Sequence, residues 1–283
     1  MRRIFHKPVK FYIGNIAIML VALIVLVFFV YPIIYTIINS FKTYDDFLAN
    51  PQYALPTEFY FGNYARVAEN SFGRYFINSV VVAFFVVIFT ILLSCTAGFA
   101  LSKFRFRGRG KLEMLFLLGL MIPYQVILIP LFLTYSKLHL LNSYFSLILP
   151  QVAFGMPFAI QLFIAFFKDF ENDIFEAAII DGCSVGKAFI SVVLPMCRNV
   201  VIAIATVRAI FSWNEYLFAY TFISSRRMMT VVLGLNTFVG EEGLIDWGPT
   251  FAAITATVIP TLIIFMFLNK YMVSGLSEGS VKG

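Results

Sequence analysis

Six stretches of this chain, at about 12–38, 76–101, 112–135, 144–167, 200–223 and 247–273, are each long and apolar enough to cross a bilayer. A helix needs roughly 20 mostly apolar residues to span the hydrocarbon core. The remaining choices of fold are therefore few. Hydrophobic residues make up 60% of the 283 and charged residues 13%, whereas soluble domains carry about a quarter charged residues. The class is a polytopic, all-α membrane protein of six transmembrane helices. The first stretch has a longer apolar run than a signal peptide and no small-x-small cleavage site follows it, so it reads as an uncleaved anchor.

Orientation follows from the cations, which concentrate on the cytoplasmic side of a membrane. One set of connections carries Arg2, Arg3, Lys7, Lys10, Lys103, Arg105, Arg107, Arg109, Lys111, Lys168, Lys187, Arg198, Lys270 and Lys282. The other carries Lys42, Arg66, Arg74, Lys137, Arg226 and Arg227, mixed with Asp45, Asp46, Glu58, Glu69, Glu241, Glu242 and Asp246. Both termini are expected in the cytoplasm of a bacterial cell, with the chain multi-pass in its plasma (inner) membrane. The net charge of +6 is thereby a topology signal, and no nucleic-acid partner is implied by the basic run 103–111. Cys95, Cys183 and Cys197 have neither paired nor metal-ligand spacing, and His6 and His139 lie near span ends. No metal site and no catalytic cluster is expected. Pro32, Pro123, Pro130, Pro150, Pro157 and Pro260 fall inside spans, where neighbouring groups can satisfy the carbonyls that proline frees, so they predict kinks.

The connection 168–199 is too polar to cross the membrane. Within it, Glu176-Ala-Ala-Ile-Ile-Asp-Gly182-Cys-Ser-Val-Gly186 reads as helix, turn, helix. Asp173 can cap the first helix, with Glu176 three residues on completing a capping box. Gly182 can take the left-handed conformation that ends a helix, Ser184 can cap the second helix, and Pro195 stops it. Ala177 and Ala178 leave room for a partner to pack closely. Gly182 to Lys187 looks superficially like a phosphate loop. That loop needs four residues between its glycines, a Ser or Thr after the lysine and a strand before it, so this segment is not a nucleotide site.

Residues Glu176, Ala177, Ala178, Asp181, Gly182, Leu194 and Pro195 closely resemble the Glu-Ala-Ala motif of ABC importer permeases, with Cys183 where alanine is usual. Further likeness to the carbohydrate-uptake (maltose-type) branch lies in Asn78-Ser79-Val80, 106–109, Pro123-Tyr-Gln125, 129–132, Leu149-Pro150, Pro157-Phe158 and 213–217. The tail 275–283, with Gly275, Gly279 and Gly283, resembles the ATPase-contacting end of the second permease of that branch. The resemblance covers roughly residues 70–283. It implies a type I ABC importer permease fold, in three parts. These are 1–70 (cytoplasmic N-terminus, first helix and extracytoplasmic loop), 71–273 (permease domain with the coupling loop at 168–199) and a cytoplasmic tail at 274–283. It also implies a second, homologous permease, an ABC ATPase dimer that binds the ATP and magnesium, an extracytoplasmic solute-binding protein and a sugar substrate. The chain itself would hold no cofactor and hydrolyse no ATP. The short helix at Glu176–Gly182 would act as a rigid lever between ATPase closure and the bundle.

Two charges fall inside the fifth stretch, where charge is costly and so marks a functional hypothesis. Arg208 and Glu215 share a helical face about 10 Å apart along the axis, with Ser212 between them. Trp213, Asn214, Glu215 and Tyr216 offer a ring, an amide and a carboxylate, the groups that bind sugars, and with Arg208 they form the candidate pathway set. Aromatic residues also belong to membrane interfaces, so both readings stand at this point. An ion-driven secondary transporter is the alternative. It would favour inverted repeats, and the two halves of this chain show no clear repeat. The solute stays open among oligosaccharides, monosaccharides, polyols and glycerol phosphates.

Overall fold

The computed structural model describes residues 9–169, 172–238 and 245–278. In chain order the helices are α1 (Val9–Ser40), α2 (Tyr44–Ala49), α3 (Gly62–Glu69), α4 (Phe72–Lys103), α5 (Arg109–Gly119), α6 (Leu128–Lys137), α7 (Tyr144–Asp169) and α8 (Asn172–Ile180). They continue with α9 (Val185–Ala188), a π turn (Phe189–Val193), α10 (Leu194–Met196), α11 (Arg198–Trp213), α12 (Leu217–Phe222), α13 (Val231–Gly234) and α14 (Trp247–Glu278). Four of the expected spans are continuous helices, at Ile18–Ser40, Phe72–Lys103, Tyr144–Lys168 and Trp247–Phe267. The other two depart from the sequence reading.

The stretch 112–135 is not one rod. Its halves, α5 and α6, meet at 89° across Pro123, which has extended backbone and no N–H to continue a ladder. The stretch 200–223 is helical only as far as Trp213, then breaks before α12. At its other end α11 meets the 185–196 helix at 74°. The last helix also runs beyond 273, so the tail begins as helix through Glu278.

The chain divides into two compact units. The larger comprises 71–236 and 257–283, and its core is α4 laid along α7, with α11 beside α4. The approach is close because Gly98 lacks a side chain, since a Cβ there would lie 2.6 Å from Phe163 Cβ. One apolar cluster gathers Val82, Val86, Leu147, Val152, Phe218 and Phe222, and another gathers Cys95, Phe99, Phe163, Phe167, Val193 and Ile204. In α7, Pro150 and Pro157 are accommodated without ending the helix.

The smaller unit comprises 1–70 and 237–256. Its segment 39–63 folds around a lysine that the sequence places in an exposed loop. Lys42 is 1% exposed, and its Nζ donates to the carbonyls of Pro51 and Gln52, each at 3.2 Å. Asn63 Nδ2 donates to the carbonyls of Ser40 and Lys42 at 3.0 and 2.8 Å. Asp46 accepts from Asn50 Nδ2 at 2.7 Å and from Thr57 N at 3.1 Å. Burial lowers the Lys42 ammonium from its ordinary range, partly offset by the nearby Asp46 charge. Burial works to raise the Asp46 carboxyl, but the bonds from Asn50 and Thr57 and the charge of Lys42 outweigh it and hold the group low.

A carboxylate held low in the fold stabilises it above the unfolded aspartate value, and that contribution is lost as pH falls through the folded value. Asp46→Ala, which leaves buried donors unpaired, is expected to cost about 1–3 kcal/mol at neutral pH. The thermal midpoint of the purified protein in detergent, scanned from neutral pH to below pH 4 or so, checks it. The deficit of the variant should shrink at the acid end.

Candidate functional site

Residues 176–182 form the end of α8, and the backbone closes that end in a specific way. Cys183 N donates to Ala178 O at 3.0 Å and Gly182 N to Ile179 O at 3.0 Å, the paired bonds of a Schellman stop. Gly182 has φ +87, a conformation in which a Cβ would meet the following carbonyl. Ser184 then caps the next helix, accepting from Lys187 N at 3.4 Å. The residues before Gly182 are helical, so no strand leads into a phosphate loop there. The helical path goes on through a π turn and includes Pro195 near the start of α10, ending at Met196 rather than at the proline itself. The expected Asp173 cap lies outside the described side chains.

Glu176, Ala177, Ile180 and Asp181 are exposed, and Ala178 is half-buried. Ile180 is 84% exposed beside the exposed Ile179 and Val185, so the outer side of this hairpin offers an apolar, alanine-lined surface. Its inner side is anchored by a group of rings. Phe99 of α4 meets Phe167 of α7 at 5.4 Å, Phe175 of α8 at 5.2 Å and Phe189 of the π turn at 5.1 Å between centroids. The first two are edge-on and the third is tilted; aromatic pairs add about 0.5–1.5 kcal/mol each beyond area burial. The hairpin is thus tied to the two central helices through one phenylalanine. Sequence reading missed Phe99, Phe175 and Phe189, because 34 phenylalanines hide any three. Of the tail residues, Gly275 lies within α14, while Gly279 and Gly283 lie outside the described residues.

The second candidate region is the break after Trp213. Trp213 is buried, and its indole N–H donates to Thr257 O at 3.0 Å while Phe76 lies edge-on at 5.1 Å. The ring expected to face a ligand is therefore spent on anchoring the end of α11. Glu215 accepts from Phe218 N at 2.7 Å through one oxygen and from Ala219 N at 3.1 Å through the other. Its carboxylate caps α12, which otherwise starts with unpaired donors. Asn214 is exposed, its Nδ2 donating to Ile210 O at 2.8 Å. The Tyr216 hydroxyl accepts from Asn236 Nδ2 at 3.0 Å.

Arg208 bonds to a neighbouring helix. Its Nη2 donates to Gln151 O of α7 at 2.6 Å. The guanidinium lies over Gly155, where an added Cβ would come within 2.6 Å of Cζ. The shared face with Glu215 and Ser212 does not produce a common cluster. At the other end of α4, Asn78 Nδ2 donates to the carbonyls of Arg227 and Met229 at 3.0 and 2.8 Å, and Tyr144 donates to Asn78 Oδ1 at 2.8 Å. Ser79 Oγ accepts from Val231 N at 2.9 Å. These bonds fasten the 227–231 segment to α4.

Four continuous apolar helices and two bent or broken apolar stretches define a polytopic membrane protein. The comparisons agree. The profile described as "Binding-protein-dependent transport system inner membrane component" matches residues 90–278. The chain is 34% identical to the probable ABC transporter permease protein YurM of Bacillus subtilis (strain 168), over 97% of this chain and 91% of that one. It is 33% identical to the trehalose/maltose transport system permease protein MalG of Thermococcus litoralis, over 93% and 95%. It is 32% identical to the diacetylchitobiose uptake system permease protein NgcG of Streptomyces coelicolor, over 89% and 83%. A chain from the crystal structure of a bacterial ABC transporter that imports the acidic polysaccharide alginate superposes with a TM-score of 0.82 at 23% identity, covering 94% of this chain and 99% of that one. The chain belongs to the family of binding-protein-dependent transport system inner membrane components. It is an ABC importer permease, an inner-membrane subunit that works with a separate ATPase and a binding protein, and the ion-driven alternative finds no support.

Glu215→Ala should cost about 1–3 kcal/mol by orphaning the N–H groups it accepts from. Phe99→Ala should cost about 3–5 kcal/mol. Thermal unfolding of the purified protein checks both, and the Phe99 loss should be the larger.

Proposed function

We propose that this chain is the permease subunit of an importer for oligosaccharides or closely related carbohydrates. Both termini lie in the cytoplasm, and α8 is the lever on which the ATPases act. A second, homologous permease of the maltose-F type completes the pathway, two ATPase subunits bind ATP and magnesium, and an extracytoplasmic binding protein delivers the solute. The carbohydrate assignment draws on relatives named for trehalose/maltose and diacetylchitobiose uptake.

The observation that carries the coupling role is the α8 hairpin, exposed on one side and held by Phe99 on the other. Glu176, Ala177, Ala178, Asp181 and Gly182 present the surface for the ATPase, and the tail residues Gly275, Gly279 and Gly283 contact the same partner. ATP-driven closure displaces a helix fixed at its end by the Schellman stop. Phe175 and Phe189 pass that displacement to α4 as a rigid-body movement. Arg208, Trp213, Asn214, Glu215 and Tyr216 bound or shape the pathway. Trp213 and Glu215 hold the break in place, and Asn214 and Tyr216 present polar groups at it.

The test is ATP-driven sugar uptake by the complete complex in proteoliposomes, with ATP turnover measured in parallel. Gly182→Val forces a β-branched residue into left-handed backbone, at a cost of roughly 1–2 kcal/mol. This variant and Glu176→Ala are expected to lose most uptake while retaining ATP turnover. Uptake and turnover that stay coupled as in the unaltered complex, in both variants, would sink the lever. Uptake that follows an ion gradient without ATP would sink the whole assignment.

A further inference from the structure

The two faces of α12 differ sharply. Phe218, Ala219 and Phe222 are buried in the core of the larger unit. Tyr220 faces away from that core, and Tyr216, half-buried against the edge of the core, lies one turn before it, with ring centroids 5.4 Å apart and planes inclined by 23°. Tyr220 is 63% exposed. Its stacking on Tyr216 fixes the ring, and Tyr216 is fixed in turn by the 3.0 Å bond from Asn236. Asn214 and Asn236 are both exposed beside the pair.

Two exposed amides argue against a lipid-facing surface. Each amide has one N–H bonded within the protein, Asn214 to Ile210 O and Asn236 to the Tyr216 hydroxyl, and the exposed remainder of each carboxamide is costly to place in hydrocarbon, so this face meets water or a polar ligand. A flat ring bordered by amides and a phenol suits the sugar ring. Its axial C–H face lies on the aromatic plane, and its equatorial hydroxyls bond to the polar groups at the edge. Tyr216, while accepting from Asn236, still has its own hydroxyl proton to give. Trp213, the ring toward which the sequence pointed, is buried and cannot serve.

We propose that Tyr220, supported by Tyr216 and Asn236, is a carbohydrate-stacking subsite on the translocation pathway. The inference rests on the reading of the chain as a sugar importer permease and adds a ligand-contacting surface to it. Glu215 acts as a positioning residue for this subsite by capping the helix that carries both tyrosines.

The experiment uses the complete importer in proteoliposomes, with Cys95, Cys183 and Cys197 replaced by serine and Leu217→Cys introduced at a partly exposed position one turn before Tyr220, which keeps both rings and both amides. Labelling by a charged methanethiosulfonate is followed by mass. The probes are maltotriose, diacetylchitobiose and arabinotriose, used first in ATP-driven uptake and then in protection from labelling. The expected result is labelling that slows at least severalfold with a transported probe. Adding Tyr220→Ala should abolish this protection, and Tyr220→Phe should preserve it. An unlabelled cysteine would mean a face closed by lipid or by the second permease, and would overturn the subsite. Labelling that no transported probe slows, or protection that survives Tyr220→Ala, would overturn it equally. If the serine-replaced complex takes up none of the three probes with ATP, the carbohydrate reading falls and the subsite with it. Normal uptake with unprotected labelling removes the subsite alone.

Discussion

The Glu215 carboxylate accepts two backbone N–H groups at a point where an apolar stretch stops being helical. A membrane interior supplies no water to such groups, so helical backbone can be interrupted only where protein groups take over the bonding. Much of the larger unit obeys this one constraint. Trp213 hands its indole N–H to a carbonyl of the last helix, Asn78 satisfies two carbonyls of the 227–231 segment, and Arg208 takes a carbonyl of α7. These four polar side chains inside apolar stretches all bond backbone groups of neighbouring segments. The bends in turn create the non-parallel surfaces on which a pathway and a lever can be built.

The membrane class and the helix–turn–helix shape at Gly182 and Ser184 were the most legible parts of the sequence, for physical reasons. A run of apolar residues announces a span whatever it packs against. Gly182 and Ser184 act locally, and the Schellman stop and the cap are where their chemistry put them. The failures were non-local. Hydropathy cannot see that Pro123 turns the third stretch through a right angle, because a kinked and a broken helix have the same composition. Lys42 reads as an exposed loop cation until carbonyls from residues 51 and 52 fold over it. Trp213 and Tyr220 could exchange roles on paper. Which ring is exposed depends on where α11 stops, and that depends on a carboxylate reaching forward to residues 218 and 219.

The larger unit also shows why a single helix can serve two ends of the molecule. Phe99 sits four residues before the end of α4, and Asn78 and Ser79 sit within two turns of its start. At one end the helix touches the α8 hairpin through rings. At the other it is bonded to the connection that follows α12. Between them the close contact at Gly98 and the buried stripe through Val82 and Val86 press it onto α7.

A helix of 32 residues is about 48 Å long, and α4 has no proline or break along that length. It therefore behaves as a push-rod gripped at both tips. A tilt of a few degrees imposed at the ring-lined tip becomes a displacement of some ångströms at the other. A helix of this stiffness moves as one body, without a chain of rotamer changes along it. Stiffness also sets where sequence change is least harmless. A flexible residue introduced midway along α4 would leave both grips intact and still disconnect them.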